Sequence, residues 1–433
     1  MIKPIAITLK MDKIKVGVSS EIGALKGVIL HTPGHEVENM TPENAERALY
    51  SDILNLSVAT KEYVHLKAIL EKVSLTFEVK DLLIETLANE SVKENLVRRI
   101  SIQEDAAKDM EFLLQMPPQT LATQLIEGVV LKRDNLTRFL SKERYSMRPL
   151  HNFLFTRDAS MTLWDEVLIG KMARKVRDRE SLIMEAIFKH HPSFGVSTIN
   201  PTSSFSDSGS FPNATIEGGD VLIASEDVLV VGNGSRTSTE GIDFLIEVIR
   251  AKKTGLKHLI VQELPDSPES FIHLDMTFTF LNRDASLVYE PLILKNNKFH
   301  TIHITIDNGV VTGIHERKNM LKALDHIGFD VAPVFCGGKQ DPWIMEREQW
   351  HSGANFFAFA PGKVIGYERN EYTLEEMNKH GFEIIRAQDY IDKKLNHNDF
   401  NKLVVTIPGS ELARGGGGAR CMTMPISREK VDW

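Results

Sequence analysis

Only two cysteines, Cys336 and Cys421, occur in 433 residues. So few thiols exclude a disulfide framework, and neither shows the paired spacing that zinc sites use. No run of about 18 apolar residues occurs, and lysines interrupt each short apolar stretch of the opening MIKPIAITLKMDKIK, so neither a membrane span nor a signal peptide is expected. A basic block is also missing. With 51 basic and 59 acidic residues the net charge is -8, which argues against a nucleic-acid-binding surface. Neither G-x-G-x-x-G opening a helix after a strand nor G-x-x-x-x-G-K-[ST] is found, so no cofactor is expected. The expected location is the cytoplasm, where free thiols stay reduced. A hydrophobic content of 42% is enough to bury the core of one large domain with an insertion, or of two domains.

Chemistry concentrates near the C-terminus, in SELARGGGGARCMTMPISRE from Ser410 to Glu429. Gly415 to Gly418 allow positive φ and close approach of the backbone to a ligand, at an ordering cost that a plain surface loop has no reason to bear. A lone cysteine after such a loop has two possible fates, a buried inert thiol or a nucleophile served by distant histidines and carboxylates.

Along the chain, Leu25 to Leu30 (LKGVIL) reads as a strand, and Thr41-Pro42-Glu43 as an N-cap with proline at the first helical position. From Phe77 to about Met147 the apolar spacing turns helical, Ser91 and Glu94 form a capping-box pattern, and Pro117-Pro118 separates helical pieces. This predicts an all-helical insertion, 77–147, between sheet-forming parts 1–76 and 148–433. The sheet-forming parts repeat weakly: apolar strand, glycine, an arginine in the turn, helix, second strand. One copy runs from Val167 through Arg177, one from Val228 through Arg236 and one from Val364 through Arg369, with LKGVIL as a divergent fourth. Closing such units around an axis would gather their turns at one end; chance similarity among common β-α patterns is the alternative.

The run His273 to Leu281 (HLDMTFTFL) alternates polar and apolar, which predicts a half-buried strand with His273 and Asp275 side by side, either on a solvated face or looking into a site. Asp158 in FTRD and Glu217 and Asp220 in EGGD add carboxylates beside turns. Nothing supplies a second close pair of ligands, so no metal is expected. Acids around a thiol raise its pKa and silence it, an arrangement that makes sense if the substrate carries positive charge. A guanidinium fits, because two carboxylates can hold its edges while its carbon faces the sulfur.

In this order, FTRD at 155–158, EGGD at 217–220, HLD at 273–275 and GGARCMTMP at 417–425 resemble the arginine deiminases of the guanidino-group-modifying superfamily. SEIGALKGVILHTPG near the start, GNGSRT at 232–237 and EREQWHSGAN at 346–355 extend the resemblance to nearly the whole chain. The resemblance implies an α/β fold, a five-bladed propeller of pseudo-symmetric modules with the helical insertion outside it. It implies Cys421 as nucleophile and His273 as acid then base, with Glu217 holding a substrate nitrogen and keeping His273 charged, and Asp158 and Asp275 gripping the guanidinium. Asn152, Arg177 and Arg236 would bind the α-carboxylate of L-arginine, with Asp220 and Gly416 also at the substrate. Some relatives carry an arginine where Gly416 stands; Arg414 or Arg420 could replace it, or neither. The expected assembly is a homodimer or homotetramer. Competing readings are another guanidino reaction, such as methylarginine hydrolysis or amidino transfer, a non-catalytic arginine-binding protein, and a cysteine protease, the last needing an oxyanion hole rather than three acids.

Overall fold

The computed structural model describes residues 13–41, 52–202, 211–252 and 254–433. Its sheets are built on one recurring unit: two antiparallel strands, a helix, and a third strand parallel to the second. In the first unit β1 (Leu25–Leu30) pairs antiparallel with the chain's last strand, Met424–Arg428, and parallel with β2 (Leu75–Glu78), reached through helix Leu56–Val73. Asn55 starts that helix by accepting hydrogen bonds from the Ser57 and Val58 amides. After the helical segment, which contains the short pair β3 (Val129–Val130) and β4 (Tyr145–Met147), the second unit is β5 (Ser160–Leu163), β6 (Glu166–Ile169), helix Asp178–His190 and β7 (Thr198–Ile199). The third is β8 (Val221–Ser225), β9 (Val228–Asn233), helix Thr239–Lys252 and β10 (His258–Glu263). The fourth comprises β11 (Phe278–Asn282), β12 (Ala285–Val288), helix Met320–His326 and β15 (Ala332–Phe335). Between its helix and β12 the hairpin β13 (Thr301–Asp307) and β14 (Val310–Arg317) leaves to extend the third unit's sheet beyond β10. The fifth holds β16 (Phe357–Ala360), β17 (Lys363–Tyr367), helix Glu371–Lys379, β18 (Glu383–Arg386) and β19 (Leu403–Ile407), in the order β16-β17-β19-β18.

The unit works because its second strand is covered on both faces, so it is an unbroken apolar run. In β9, Leu229 and Val231 pack in one cluster with Ile242, Leu245, Val248 and Ile249 of helix Thr239–Lys252. Val228 and Val230 face the opposite way, into a cluster with Ile260, Phe278 and Phe356. Each such side chain contributes about 1.5–3 kcal/mol by leaving water. The sheets are therefore stable supports for the loops that join them.

The fourth unit carries the clearest departure from the sequence pattern. The alternation over 273–281 predicts a strand, but Leu274–Met276 is a 3-10 turn and β11 begins at Phe278. Both faces of the segment are buried, Thr277 and Thr279 included, so alternation here reflects internal polar bonds rather than a wet face. The helical segment also differs. Phe77 and Glu78 belong to β2, and β3 and β4 interrupt the helices. Helix Glu90–Gln103 is capped by Asn89, which accepts from the Ser91 and Val92 amides, while Glu94 pairs with Arg98. Pro118 does open helix Pro118–Glu127. The helix expected to start at Pro42 and Glu43, after Thr41, lies outside the described residues. Among the described residues, no helix is long and apolar enough to cross a membrane.

Helix Thr239–Lys252 docks so closely that a Cβ on Gly241 would stand 2.0 Å from the Thr215 carbonyl oxygen, a backbone atom with little freedom to retreat. Overpacking typically costs about 1–3 kcal/mol, against the about 1 kcal/mol that alanine gains over glycine in a helix. Gly241→Ala should therefore lower the urea midpoint, with a net loss of up to about 2 kcal/mol. Gly255→Ala, whose Cβ would meet open space, is the control and should stay within about 0.5 kcal/mol of the parent. Equal midpoints for both variants would show that the Thr215 segment yields freely.

Candidate active site

Each unit contributes the loop that precedes its first strand to the same place. These loops are Asn152–Asp158 before β5, Glu217–Asp220 before β8, His273–Met276 before β11, Ser352–Asn355 before β16, and the glycine loop through Cys421 before Met424–Arg428. Asn355 ties two of them together: its Oδ1 accepts from the Arg420 and Cys421 amides at 3.0 and 3.1 Å, and its Nδ2 donates to the Asp275 carbonyl at 3.2 Å. Gly219 lets the second loop approach the third, since a Cβ there would lie 2.5 Å from the His273 ring. The resulting cavity is lined by Asn152, Asp158, Arg177, Arg236, His273 and Cys421, with Gly415, Gly416 and Gly417 on one side and Glu269, Ile272 and Trp350 on another.

The polar groups form a buried network. His273 Nε2 lies 3.0 Å from Glu217 Oε2, and its Nδ1 lies 3.7 Å from Asp158 Oδ1. Arg177 donates to Asp158 Oδ2 at 2.7 Å and, through Nε and Nη2, to Glu180, with Glu217 3.8 Å away. Cys421 Sγ is 3.7 and 3.9 Å from the two oxygens of Asp275. Asp275 in turn accepts from Arg420 Nη1 at 2.8 Å, and Arg420 Nε and Nη2 meet Glu21 at 3.0 and 3.1 Å.

These neighbours set the charges. Burial pushes the Cys421 thiol well above its usual value, and the Asp275 and Asp158 carboxylates push it further in the same direction. For His273 burial favours the neutral ring, but Asp158 and the bond to Glu217 overcome it and raise the pKa to about 9. Glu217 is also disfavoured as an anion by burial, yet its bond to His273 and the charges of His273, Arg236 and Arg177 hold it at about 2. Asp158, Glu217 and His273 each offer a ligand atom within 4.8 Å of the others, a spacing that suits a metal ion. Arg177 already stands between the two carboxylates, and a protonated imidazole cannot ligate, so these residues do not fit a resident metal.

The structure brings all the expected site residues into one region, though not all onto the cavity wall. Glu217 lies behind His273, and Asp275 behind Cys421. Asp220, expected at the substrate, instead accepts from the Leu274 amide at 2.9 Å and so fixes the turn that carries His273; burial raises its pKa to about 7. Arg177 lines the cavity with its donors engaged by Glu180 and Asp158. Gly416 adopts φ +81°, with open space where a side chain would point. Neither nearby arginine fills that space: Arg414 is paired with Asp52 and Glu411, and Arg420 is buried against Glu21 and Asp275. Arg369 holds the base of the glycine loop by donating to the Gly409 carbonyl at 2.9 Å. Cys336 is buried, and burial pushes its thiol far up. Sequence reading missed Glu21, Glu180 and Asn355 as participants. Glu180 follows Arg177 at helical i,i+3 spacing, a usable signal; Glu21 and Asn355 sit inside motifs that match the arginine deiminases, but their partners are far away in sequence.

The family model described as arginine deiminase matches residues 46–428. An arginine deiminase of Limosilactobacillus reuteri is 33% identical over 96% of this chain and 98% of its own length. That of Oenococcus oeni is 32% identical, covering 97% and 99%. Among solved structures, an amidinotransferase from Microseira wollei in saxitoxin biosynthesis matches with a TM-score of 0.51 at 14% identity, covering 96% of this chain and 98% of that one. The N-terminal domain of ArgZ, an arginine dihydrolase of cyanobacteria, matches with a TM-score of 0.50 at 12% identity over 93% and 97%. Those two likenesses show a shared mixed α/β fold. The match over 46–428, with relatives a third identical along almost their full length, shows that the chain belongs to the arginine deiminase family.

Proposed function

We propose that this chain hydrolyses free L-arginine to L-citrulline and ammonia in arginine catabolism, through a covalent intermediate on Cys421. One observation carries the reading beyond family membership. Two groups of the cavity wall have buried polar atoms without a hydrogen-bond partner, Asp158 Oδ1 and Arg236 Nη1. A carboxylate oxygen without a hydrogen-bond donor and a guanidinium nitrogen without an acceptor beside one thiol call for a ligand that carries a cation and a carboxylate together. Free arginine carries both.

In this reading the guanidinium pairs with Asp158 and Asp275, and its charge offsets the field that keeps the thiol protonated. As the guanidinium binds, the Cys421 thiol gives up its proton to solvent, and the thiolate attacks the guanidinium carbon and forms the C–S bond. His273, held charged by Glu217 and Asp158, gives its proton to a terminal nitrogen; the C–N bond breaks and ammonia leaves, giving an S-alkylthiouronium. Neutral His273 then takes a proton from water, whose oxygen adds to the same carbon. The C–S bond breaks and the hydroxyl proton passes to the departing sulfur, restoring the thiol as the ureido group of citrulline forms; the ammonia released earlier takes up the proton given to solvent and ends as ammonium. Asn152, Arg177 and Arg236 hold the α-carboxylate, and the loop through Gly416 closes over it. We further infer that the five like units close around an axis as a propeller, which the convergence of their equivalent loops supports. The segment after β2, through about residue 147, is then an insertion on its outside, and the protein works in the cytoplasm as a homodimer or homotetramer.

Cys421→Ala should abolish citrulline formation with the fold intact, and Cys336→Ala should keep most activity; turnover by the Cys421 variant would remove the covalent step. For His273 the sign is fixed by its raised pKa. The ring is charged below about 9 and loses its proton above, so kcat/KM should fall as pH rises through about 9. The ion pair's contribution to stability, fully present below the unfolded histidine value, is lost over the same interval. His273→Ala should lose about 10²- to 10⁴-fold in activity, and a loss of only a few-fold would assign the proton transfers to another group. Agmatine, which has the guanidinium but no carboxylate, leaves Arg236 unpaired. Leaving one member of a desolvated charge pair alone costs about 2–5 kcal/mol, so arginine should be preferred by about 10²-fold or more in kcat/KM. Equal rates on the two substrates would overturn the carboxylate assignment.

A further inference from the structure

Directly behind the nucleophilic turn lies a buried ion pair, Glu21 and Arg420, that the reaction as written does not use. Arg420 precedes Cys421 and is 1% exposed. Its guanidinium forks: Nη1 donates to Asp275 Oδ2 at 2.8 Å, while Nε and Nη2 donate to the two oxygens of Glu21 at 3.0 and 3.1 Å. Nη2 also donates to the Val221 carbonyl at 2.9 Å. Glu21 is anchored by the Ile223 amide, which donates to its Oε1 at 3.3 Å, and by the backbone bond from the Glu21 amide to the Ile223 carbonyl at 2.8 Å. The arrangement is planar bidentate recognition on one side and a single strong bond on the other, a geometry that arginine supplies and lysine does not.

We propose that Glu21 and Arg420 form a positioning strut that holds the Asp275 carboxylate against Cys421 and limits how strongly the surrounding acids suppress the thiol. Two observations carry it. The fork fixes Asp275 Oδ2, so the orientation of the carboxylate relative to Sγ, 3.7 and 3.9 Å away, is set by Arg420 rather than by the strand that follows. The charge of Arg420 also opposes that of Asp275 and Asp158 at the sulfur. Burial disfavours the Glu21 anion, but Arg420 and Arg157 outweigh it, so Glu21 is ionised at neutral pH with a pKa near 2. Arg157, which donates to the Arg420 carbonyl at 3.3 Å, and Arg428 complete the cationic side of the cluster. On the cavity side the thiol meets Asp158 and the charged His273, with Glu217 behind that ring. Removing the Glu21 charge thus leaves a positive excess behind the sulfur.

This rests on Cys421 as the nucleophile, and the test separates the two ideas. The variants are Glu21→Gln, which is nearly isosteric, Arg420→Lys, which keeps the charge without the fork, and the double variant. The readouts are kcat and KM on L-arginine, and the pH midpoint of Cys421 alkylation by iodoacetamide, followed by mass spectrometry. Each single variant should lower kcat by about 10- to 100-fold, the scale of a small misplacement at a reacting centre. The double variant should be no worse than the poorer single one, because both act through Asp275. Glu21→Gln should shift the alkylation midpoint to lower pH, a change that a purely structural role would not produce. Unchanged kcat and an unmoved midpoint in Glu21→Gln, or losses that multiply in the double variant, overturn the strut. If Arg420→Lys does not fold, Glu21→Gln decides alone. If the parent protein makes no citrulline, the proposed reaction falls, while the alkylation midpoint still decides whether the strut sets the thiol.

Discussion

A thiol buried beside carboxylates is the constraint on which the rest of this structure depends. Burial and the charges of Asp275 and Asp158 both oppose thiolate formation at Cys421. Such a group is inert until a cation enters, which makes the site selective by electrostatics before any shape is considered. The same acids must survive in an interior that penalises every charge. The solution is to interleave them with fixed cations: Arg177 between Asp158 and Glu180, Arg420 between Asp275 and Glu21, and protonated His273 between Asp158 and Glu217. Breaking any one buried pair costs about 3–5 kcal/mol, so the site needs a rigid support.

The support comes from repetition. Every unit presents the loop before its first strand, and the pieces of the site come one or two from each: Asp158 from the second unit, Glu217 and Asp220 from the third, His273 and Asp275 from the fourth, Asn355 from the fifth, and Cys421 from the strand that closes the first. No two of these loops need to be near in sequence, because each is positioned by a sheet buried on both faces. This explains why glycines crowd the site. Where loops from different units meet, backbone and ring come within distances that a Cβ would violate, as at Gly219 against His273 and Gly417 against Phe155.

How legible was this in the sequence? Strand β1 and the β6 and β9 units follow from unbroken apolar runs and amphipathic helices, and the structure has them where the pattern puts them. The fourth unit was not legible, because the hairpin β13–β14 is inserted between its strand and its helix and pairs with another unit's sheet. Alternation misreads 273–281 for a different reason. Period two marks a strand only when one face is wet; here Thr277 donates to the Leu274 carbonyl and Thr279 to the Ala354 carbonyl, so polar residues are satisfied inside. Within the site, Cys421, His273, Asp158, Glu217 and Asp275 stand out through motif and neighbours. Glu21 did not, since an acidic residue near the start of a chain has no signal for a partner about 400 positions away, at Arg420.

The placement of Arg420 also bears on the glycine loop. Some family members carry an arginine where Gly416 stands, and a sequence reader looks to Arg414 or Arg420 to replace it. Neither is free to do so. Arg414 is held outside by Asp52 and Glu411, and Arg420 would have to leave two carboxylates in the interior, abandoning three charge-assisted bonds. A desolvated ion pair does not open for a gating motion without a cost near that of losing the pair outright. The empty space beside Gly416 therefore leaves Arg236, with its unpartnered Nη1, as the cavity arginine whose donors are least committed. On the proposed reading, carboxylate recognition then falls more heavily on Arg236 than it would in a relative with an additional arginine in the loop. Arg177, committed to Asp158 and Glu180, adds its charge while keeping the acids in place.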